Sequence, residues 1–234
     1  EPAVYGRPVV IQTWLEGASF QRPPESGDAW QALLAHLCRI HAITRQGVPD
    51  PGDVPHALDD VSQPNDALPA VRELLDGVDL PGEFAQVHVF IEAFVRNGLP
   101  DCRPSDSVLC RVDHFMRNYL QTANGVGSVD WEYAGWGDPL SDLAELVSHP
   151  CYLDVSHDRW AWVLDCYQES SRRRYDHMRR FRACLLIRLS HWAIRCARAA
   201  AGVPVPSDRK RMGSSGFCDS SRRRFRHYLN WAIE

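Results

Sequence analysis

Lysine is almost missing from this sequence: all but one of its 26 basic residues are arginine, and the exception is Lys210. Long apolar runs are missing too. The best stretch, residues 181 to 200, is broken by Arg182, Arg188, Arg195 and Arg198, so nothing approaches the ~18 uninterrupted residues that a membrane-spanning helix needs. No segment has the charged, apolar and small-residue order of a secretory signal. Eight cysteines occur without one C-x-x-C pair, which excludes the usual zinc-ribbon and thioredoxin-type spacings, and several lie within apolar helical patterns as buried free thiols do. A reducing, cytoplasmic setting is the expectation. His36 and His41 are five apart and miss the i, i+4 spacing of a helical zinc pair, so they read as core and surface histidines.

What is present suffices for a folded body. The chain has 234 residues, 44% hydrophobic and 24% charged, enough to bury a sizeable core in one or two domains. Its charge is uneven: residues 1 to 170 carry 26 acidic and 10 basic side chains, whereas residues 171 to 234 carry 4 acidic and 16 basic. The C-terminal arginines alternate with Trp, Leu and Ile in helical fashion, which favours a basic region packed on an acidic body over a nucleic-acid surface or a phosphate-facing wall.

Periodicity predicts a mainly helical chain. Two short β-rich runs around Gly6-Arg7-Pro8 suggest a hairpin ending at Gly17. A helix is expected from Asp28, as N-cap, to about Ile43, with Trp30, Leu33, Leu34, Leu37 and Ile40 on one face. Residues 47 to 65 read as a Pro-, Gly- and Asp-rich loop, followed by helices at about 67 to 76 and 82 to 97. Three more are expected near 157 to 175, 178 to 200 and 219 to 232.

The densest chemistry lies at "RVDHFMRNYLQTANGVGSVDWEYAGWGDPLSDLAELV", residues 111 to 147. Tyr119-Leu120-Gln121 and Val126-Gly127-Ser128-Val129 read as strands joined through Asn124-Gly125, a tight-turn signal. Such a hairpin brings Asn118 and Asp130 together at its open end. An amide oxygen beside a carboxylate suits a hard cation such as Mg2+, which completes its octahedron with phosphate and water. Asp113, one loop turn upstream, is then free to act as a base. Phosphoryl transfer asks for such a set: a carboxylate for the acceptor hydroxyl and two oxygen ligands for the metal. D-x-x-x-x-N alone is a weak signal, since Asp and Asn are common in turns; the hairpin, the second Asp and the Gly-Asp-Pro make it specific. Trp131 and Trp136 read as packing residues.

Asp113 to Asn118, followed by "VDWEYAGWGDPLSDLAEL", resembles the catalytic and metal-binding segment of the aminoglycoside phosphotransferase family, small-molecule kinases with a protein-kinase-like fold. The resemblance implies Asp113 as catalytic base, Asn118 and Asp130 as Mg2+ ligands, and Asp142 as a brace of the catalytic loop from a helix capped by Asp138 with Pro139 at its first position. "LLAHLCRIHAI" resembles the family's first large-lobe helix, and "PVVIQTWLEG" its last small-lobe strand and hinge, so Gln12, Thr13 and Trp14 are expected beside adenine. The implied fold is mainly α, with residues 1 to 17 a remnant of small-lobe strands and hinge and 18 to 234 the helical catalytic and substrate lobe. ATP, Mg2+ and a small-molecule hydroxyl acceptor are the implied partners.

Two departures from the family pattern stand out. Arg111 occupies the place, two before Asp113, where the family usually carries His; a guanidinium cannot accept a hydrogen bond, though it can donate to carbonyls or carboxylates. A glycine-rich nucleotide loop and any Lys before position 210 are absent, as though the small lobe were cut away from a chain that starts at Glu1. A non-catalytic, pseudokinase-like binder and, through the basic C-terminal region, a nucleic-acid module are the alternatives. One further feature bears on the acceptor: Arg188, His191, Arg195 and Arg198 fall on one helix face, which would either dock on the acidic body or turn a cationic wall toward the cleft.

Overall fold

The computed structural model describes residues 3–4, 7–8, 14–58, 60–61, 63–76, 78–99, 106–171, 177–203 and 218–233. Helix α1 spans Gly27–His41 and buries Trp30, Leu33, Leu34, Leu37 and Ile40 along its apolar stripe. Its N-cap is Ser26, not the expected Asp28: the Ser26 hydroxyl accepts the N–H of Ala29, which sets the start one residue before Asp28 and leaves that carboxylate in the first turn, where it complements the helix dipole. Helices α2 (Pro64–Glu73) and α3 (Gln86–Asn97) follow, each beginning a few residues from its expected position. Pro64 opens α2 because proline is pre-set for a first helical turn, and a 3-10 turn at Gly82–Ala85 leads into α3.

Short strands lie before α1 and between α3 and the next helix. Ala3–Val4 (β1) pairs antiparallel with Arg7–Pro8 (β2) around Gly6-Arg7-Pro8, while residues 9–13, on the way to the expected hairpin end at Gly17, lie outside the described residues. Ala18–Ser19 (β3) lines the edge of a second sheet, in which Tyr119–Thr122 (β5) and Gly125–Ser128 (β6) form the expected Asn-Gly hairpin in the register Tyr119↔Ser128 to Thr122↔Gly125. Val108–Cys110 (β4) pairs with Gly135–Gly137 (β7), so the two ends of the central stretch are tied together. Gly135 is there for space: a Cβ on it would lie 2.4 Å from the Pro55 carbonyl oxygen.

Helix α4 (Pro139–Ser148) is buried at every position. Asp138 caps it, accepting the Leu140 N–H at 2.8 Å, and Pro139 is its first residue. Around it pack α5 (His157–Ser171), α6 (His177–Ala200) and α7 (Cys218–Ile233). Trp30, Leu143, Tyr152, Trp160, Phe181, Ile194 and Phe225 belong to one continuous core that joins all of these elements.

The arginine-rich end docks on the acidic body. Arg180 of α6 is buried in an ion pair with Asp138, Arg222 and Arg226 of α7 both reach Glu83, and Arg223 lies 3.6 Å from Asp154. Arg198 donates to the Leu74 carbonyl at 2.7 Å, and the Arg195 guanidinium lies over Trp192. The stripe from Arg188 to Arg198 is therefore turned into the fold, largely toward α2 and its exit. Six cysteines of the described residues, Cys38, Cys110, Cys151, Cys166, Cys184 and Cys196, are free thiols. Among the described residues no helix is long and apolar enough to cross a membrane.

Candidate active site

Chain direction after β4 decides where Asp113 sits. The Asp113 N–H donates to the Arg111 carbonyl at 3.0 Å, and Val112 between them has φ of 71°, the hydrogen bond and the backbone angle of a γ-turn. A left-handed valine is strained, because its branched Cβ crowds the backbone. The strain is held from below by Asp142, whose two oxygens accept the N–H groups of Arg111 at 3.1 Å and of Val112 at 2.6 Å.

Asp142 is fully enclosed and carries two further partners. His41 Nε2 lies 2.9 Å from one oxygen and His114 Nε2 3.1 Å from the other. Each ring is in turn fixed at its other nitrogen by a tyrosine hydroxyl, Tyr167 for His41 and Tyr119 for His114. Burial pushes the Asp142 carboxyl up, but the charge of His114 and the hydrogen bond from His41 outweigh it and hold the group well below the usual carboxylate range. A permanent buried anion is thus built under the turn that presents Asp113. His41, Cys110 and Asp142 also place ligand atoms within 4.8 Å of one another, but with both nitrogens of His41 committed this cluster reads as a brace.

Asp113 itself is half-buried. The Asn118 Nδ2 lies 3.5 Å from its Oδ2, and the His149 Nε2 lies 3.7 Å from its Oδ1. With the amide N–H toward Asp113, the Asn118 carbonyl oxygen is turned the other way. The hairpin joins Asn118 to the segment holding Asp130: the Val129 N–H donates to the Asn118 carbonyl at 2.9 Å, and Asp130 follows with φ of 63°. Asp130 is exposed, while Asn118 is buried. The backbone bond thus brings Asp130 to within one residue of the strand position paired with Asn118, and an amide and a carboxylate oxygen are the donor types a hard cation takes.

Arg111 replaces the family's usual His in an unexpected way. It is wholly buried; its Nη2 donates to the Val129 carbonyl at 2.7 Å, and its guanidinium lies 5.1 Å from the Tyr119 ring centre and 5.4 Å from that of Trp131. The side chain therefore ties the Asp113 turn to the residue preceding Asp130. Trp136, by contrast, is buried packing, its indole N–H donating to the Pro51 carbonyl at 2.8 Å.

His149, absent from the sequence expectations, stands at the end of α4, seven residues or about 10.5 Å beyond Asp142 along the axis, so one helix places both residues. Its ring sits among Phe115, Tyr152 and Trp192. The only signal in the sequence was a His-Pro pair closing a well-capped helix. His149 Nδ1 also lies 2.9 Å from Cys151 Sγ, but burial above all pushes that thiol up to about 12, so it is no thiolate nucleophile. Of the expected hinge residues, Gln12 and Thr13 lie outside the described residues and Trp14 is 89% exposed.

A helical lobe with a short hairpin at its central loop is the large lobe of a protein-kinase-like fold. Residues 1–183 match the model of the phosphotransferase enzyme family, and the chain belongs to that family. Solved structures agree in fold. A Ralstonia eutropha JMP134 protein described provisionally as an aminoglycoside phosphotransferase is 14% identical with a TM-score of 0.62, covering 94% of this chain and 71% of its own. The amicoumacin kinase hAmiN, solved with AMP-PNP, Ca2+ and amicoumacin, is 14% identical with a TM-score of 0.60, covering 94% of this chain and 63% of its own. A type I macrolide 2'-phosphotransferase is 16% identical with a TM-score of 0.54, covering 91% of this chain and 67% of its own. No curated protein matches the chain in sequence.

Proposed function

We propose that the protein is an ATP-dependent phosphotransferase that moves the γ-phosphate to a hydroxyl of a small molecule in the cytoplasm. The observation that carries this reading is the convergence of Asp113, Asn118 and the Asp130 segment on one end of the β5–β6 hairpin, in a chain of the phosphotransferase family. Asp113 orients the acceptor hydroxyl and takes its proton as the oxygen bonds to the γ-phosphorus and ADP departs. Asn118 and Asp130 would hold Mg2+, which neutralises charge on the phosphate when bound. Arg111 fixes the distance between base and metal side, and Asp142 fixes the turn.

His149 supports the orientation of Asp113 from the acceptor side, where Phe115 and Trp192 give the approach an apolar, aromatic character. With the arginine stripe folded inward, a cationic wall is not what selects the acceptor. The chain spans 63% of the amicoumacin kinase. Arg111, in the place where the family usually carries His, favours a second reading, a pseudokinase-like binder.

Turnover separates the two readings. Purified protein is incubated with MgATP and a panel of hydroxylated antibiotics and metabolites, and ADP formation is followed. Acceptor-dependent ADP release that stops with EDTA supports phosphotransfer; nucleotide binding without turnover supports the binder.

A further inference from the structure

A second feature lies away from the catalytic loop. Between α2, α6 and residues Asp60, Val61 and Gln63 is a cavity of about 410 Å³, within the range of small-molecule sites, and its walls include none of Asp113, Asn118, Asp130 or His149. Val61, Ala67, Val71 and Ile187 form its apolar side. Beside them α6 brings His191 and Arg188, the latter 6% exposed. Among the described residues the buried Nε of Arg188 has no hydrogen-bond partner, and no ion pair reaches its guanidinium.

Burying an unpaired cation is costly, and a packed hydrophobic side chain of similar size would serve the fold as well or better. The other buried cations of α6 have charged, carbonyl or ring contacts: Arg180 has Asp138, Arg198 has the Leu74 carbonyl, and Arg195, whose Nε likewise makes no hydrogen bond, has the Trp192 ring. The fork of Arg188 is matched by a planar anion. The rest of the wall selects among anions. Gln63 and Asp66 stand exposed at the mouth and Asp60 lies further in, so a dianionic phosphate would meet two carboxylates. A singly charged carboxylate with a protonated amine at its other end meets both the guanidinium and Asp66.

We propose that this cavity is a binding site for a small amino carboxylate of the free α-amino-acid class with an apolar side chain, its carboxylate on Arg188 and its ammonium toward Asp66. Occupancy here neither requires nor tests phosphate transfer, so the two proposals stand or fall separately.

Saturation-transfer NMR and calorimetry on the 234-residue chain test it with four probes: L-leucine, 4-methylpentanoate, which lacks the amine, leucinol, which lacks the carboxylate, and inorganic phosphate. The expected order is leucine, then 4-methylpentanoate, with leucinol weaker than leucine by about tenfold or more and phosphate weaker still. Arg188→Met is expected to lose leucine by at least about tenfold while melting no lower than the wild type, because it removes an unsatisfied buried charge. Asp66→Asn is expected to weaken leucine and leave 4-methylpentanoate unchanged. Leucine and leucinol binding equally, no binding of either carboxylate at millimolar concentration, or full leucine affinity in Arg188→Met each overturn the proposal. Melting of ligand-free Arg188→Met well below the wild type also overturns it, since the guanidinium would then be satisfied within the fold.

Discussion

The Asp142 carboxylate accepts the N–H of Val112 at 2.6 Å, and Val112 holds a left-handed φ of 71°. The strained turn that presents Asp113 is thus clamped by a buried anion on α4, and two imidazoles keep that anion charged. Asp142→Ala leaves two backbone donors and two rings without their acceptor, and is expected to cost about 3–5 kcal/mol of stability. Urea unfolding of the variant measures it. A loss below about 0.5 kcal/mol, the level of ordinary surface substitutions, would mean that the turn holds itself.

The Asp138–Arg180 pair gives a second stability test with a built-in control. Asp138 both caps α4 and neutralises a buried guanidinium, so Asp138→Ala is expected to lose about 3–5 kcal/mol, of which the cap accounts for about 1. Adding Arg180→Met to Asp138→Ala should restore part of the difference, because the buried guanidinium that lost its Asp138 partner goes with it. A double variant no more stable than Asp138→Ala would show that the pair's packing, not its charge, carries the effect.

Acid sensitivity has two windows. At His36, burial first and then the charges of Arg39 and Arg111 lower the ring from 6.5 to about 4, while its Nε2 meets the Ser128 hydroxyl at 2.8 Å. Between those values the unfolded chain binds a proton that the folded chain refuses, so this group's contribution falls as pH drops from 6.5 to about 4 and is constant above. Asp142, held low, contributes fully above the ordinary carboxylate range and loses that contribution only at still lower pH, as its folded-state value is passed. His36→Gln should therefore flatten the slope of urea midpoint against pH in the upper window relative to wild type and leave the lower one unchanged. Identical slopes would remove His36 as the source.

The helices were legible because each carries a continuous apolar stripe, as Trp30 to Ile40 does on α1, and the β5–β6 hairpin because Asn-Gly permits one turn and little else. The shift of the α1 cap to Ser26 shows why ends are harder: Ser26 and Asp28 are both good caps, and the choice rests on chain entry. Pairing of β4 with β7 was hidden, since Gly-Trp-Gly has little strand character and its partner lies 25 residues earlier at the nearer end of the register, Cys110↔Gly135. Asp113, Asn118 and Asp130 were visible as a local motif. The residues that support them were not: His41, Tyr167 and His149 come from three other segments, and only packing brings them to Asp142 and Asp113. Arg111 read as a departure in sequence, and in three dimensions it is a tie between the two halves of the site.

Transfer of phosphate from ATP to an acceptor hydroxyl, followed by 31P NMR in wild type, Asp113→Asn and Asp130→Ala with matched Mg2+, tests the functional reading most directly. The expected result is a new phosphomonoester resonance with wild type, a rate lower by about 10²–10⁴ in Asp113→Asn with metal-nucleotide binding kept, and a weakened metal complex in Asp130→Ala. An acceptor phosphorylated at the wild-type rate by Asp113→Asn, or no phosphomonoester from wild type across the panel, would contradict it.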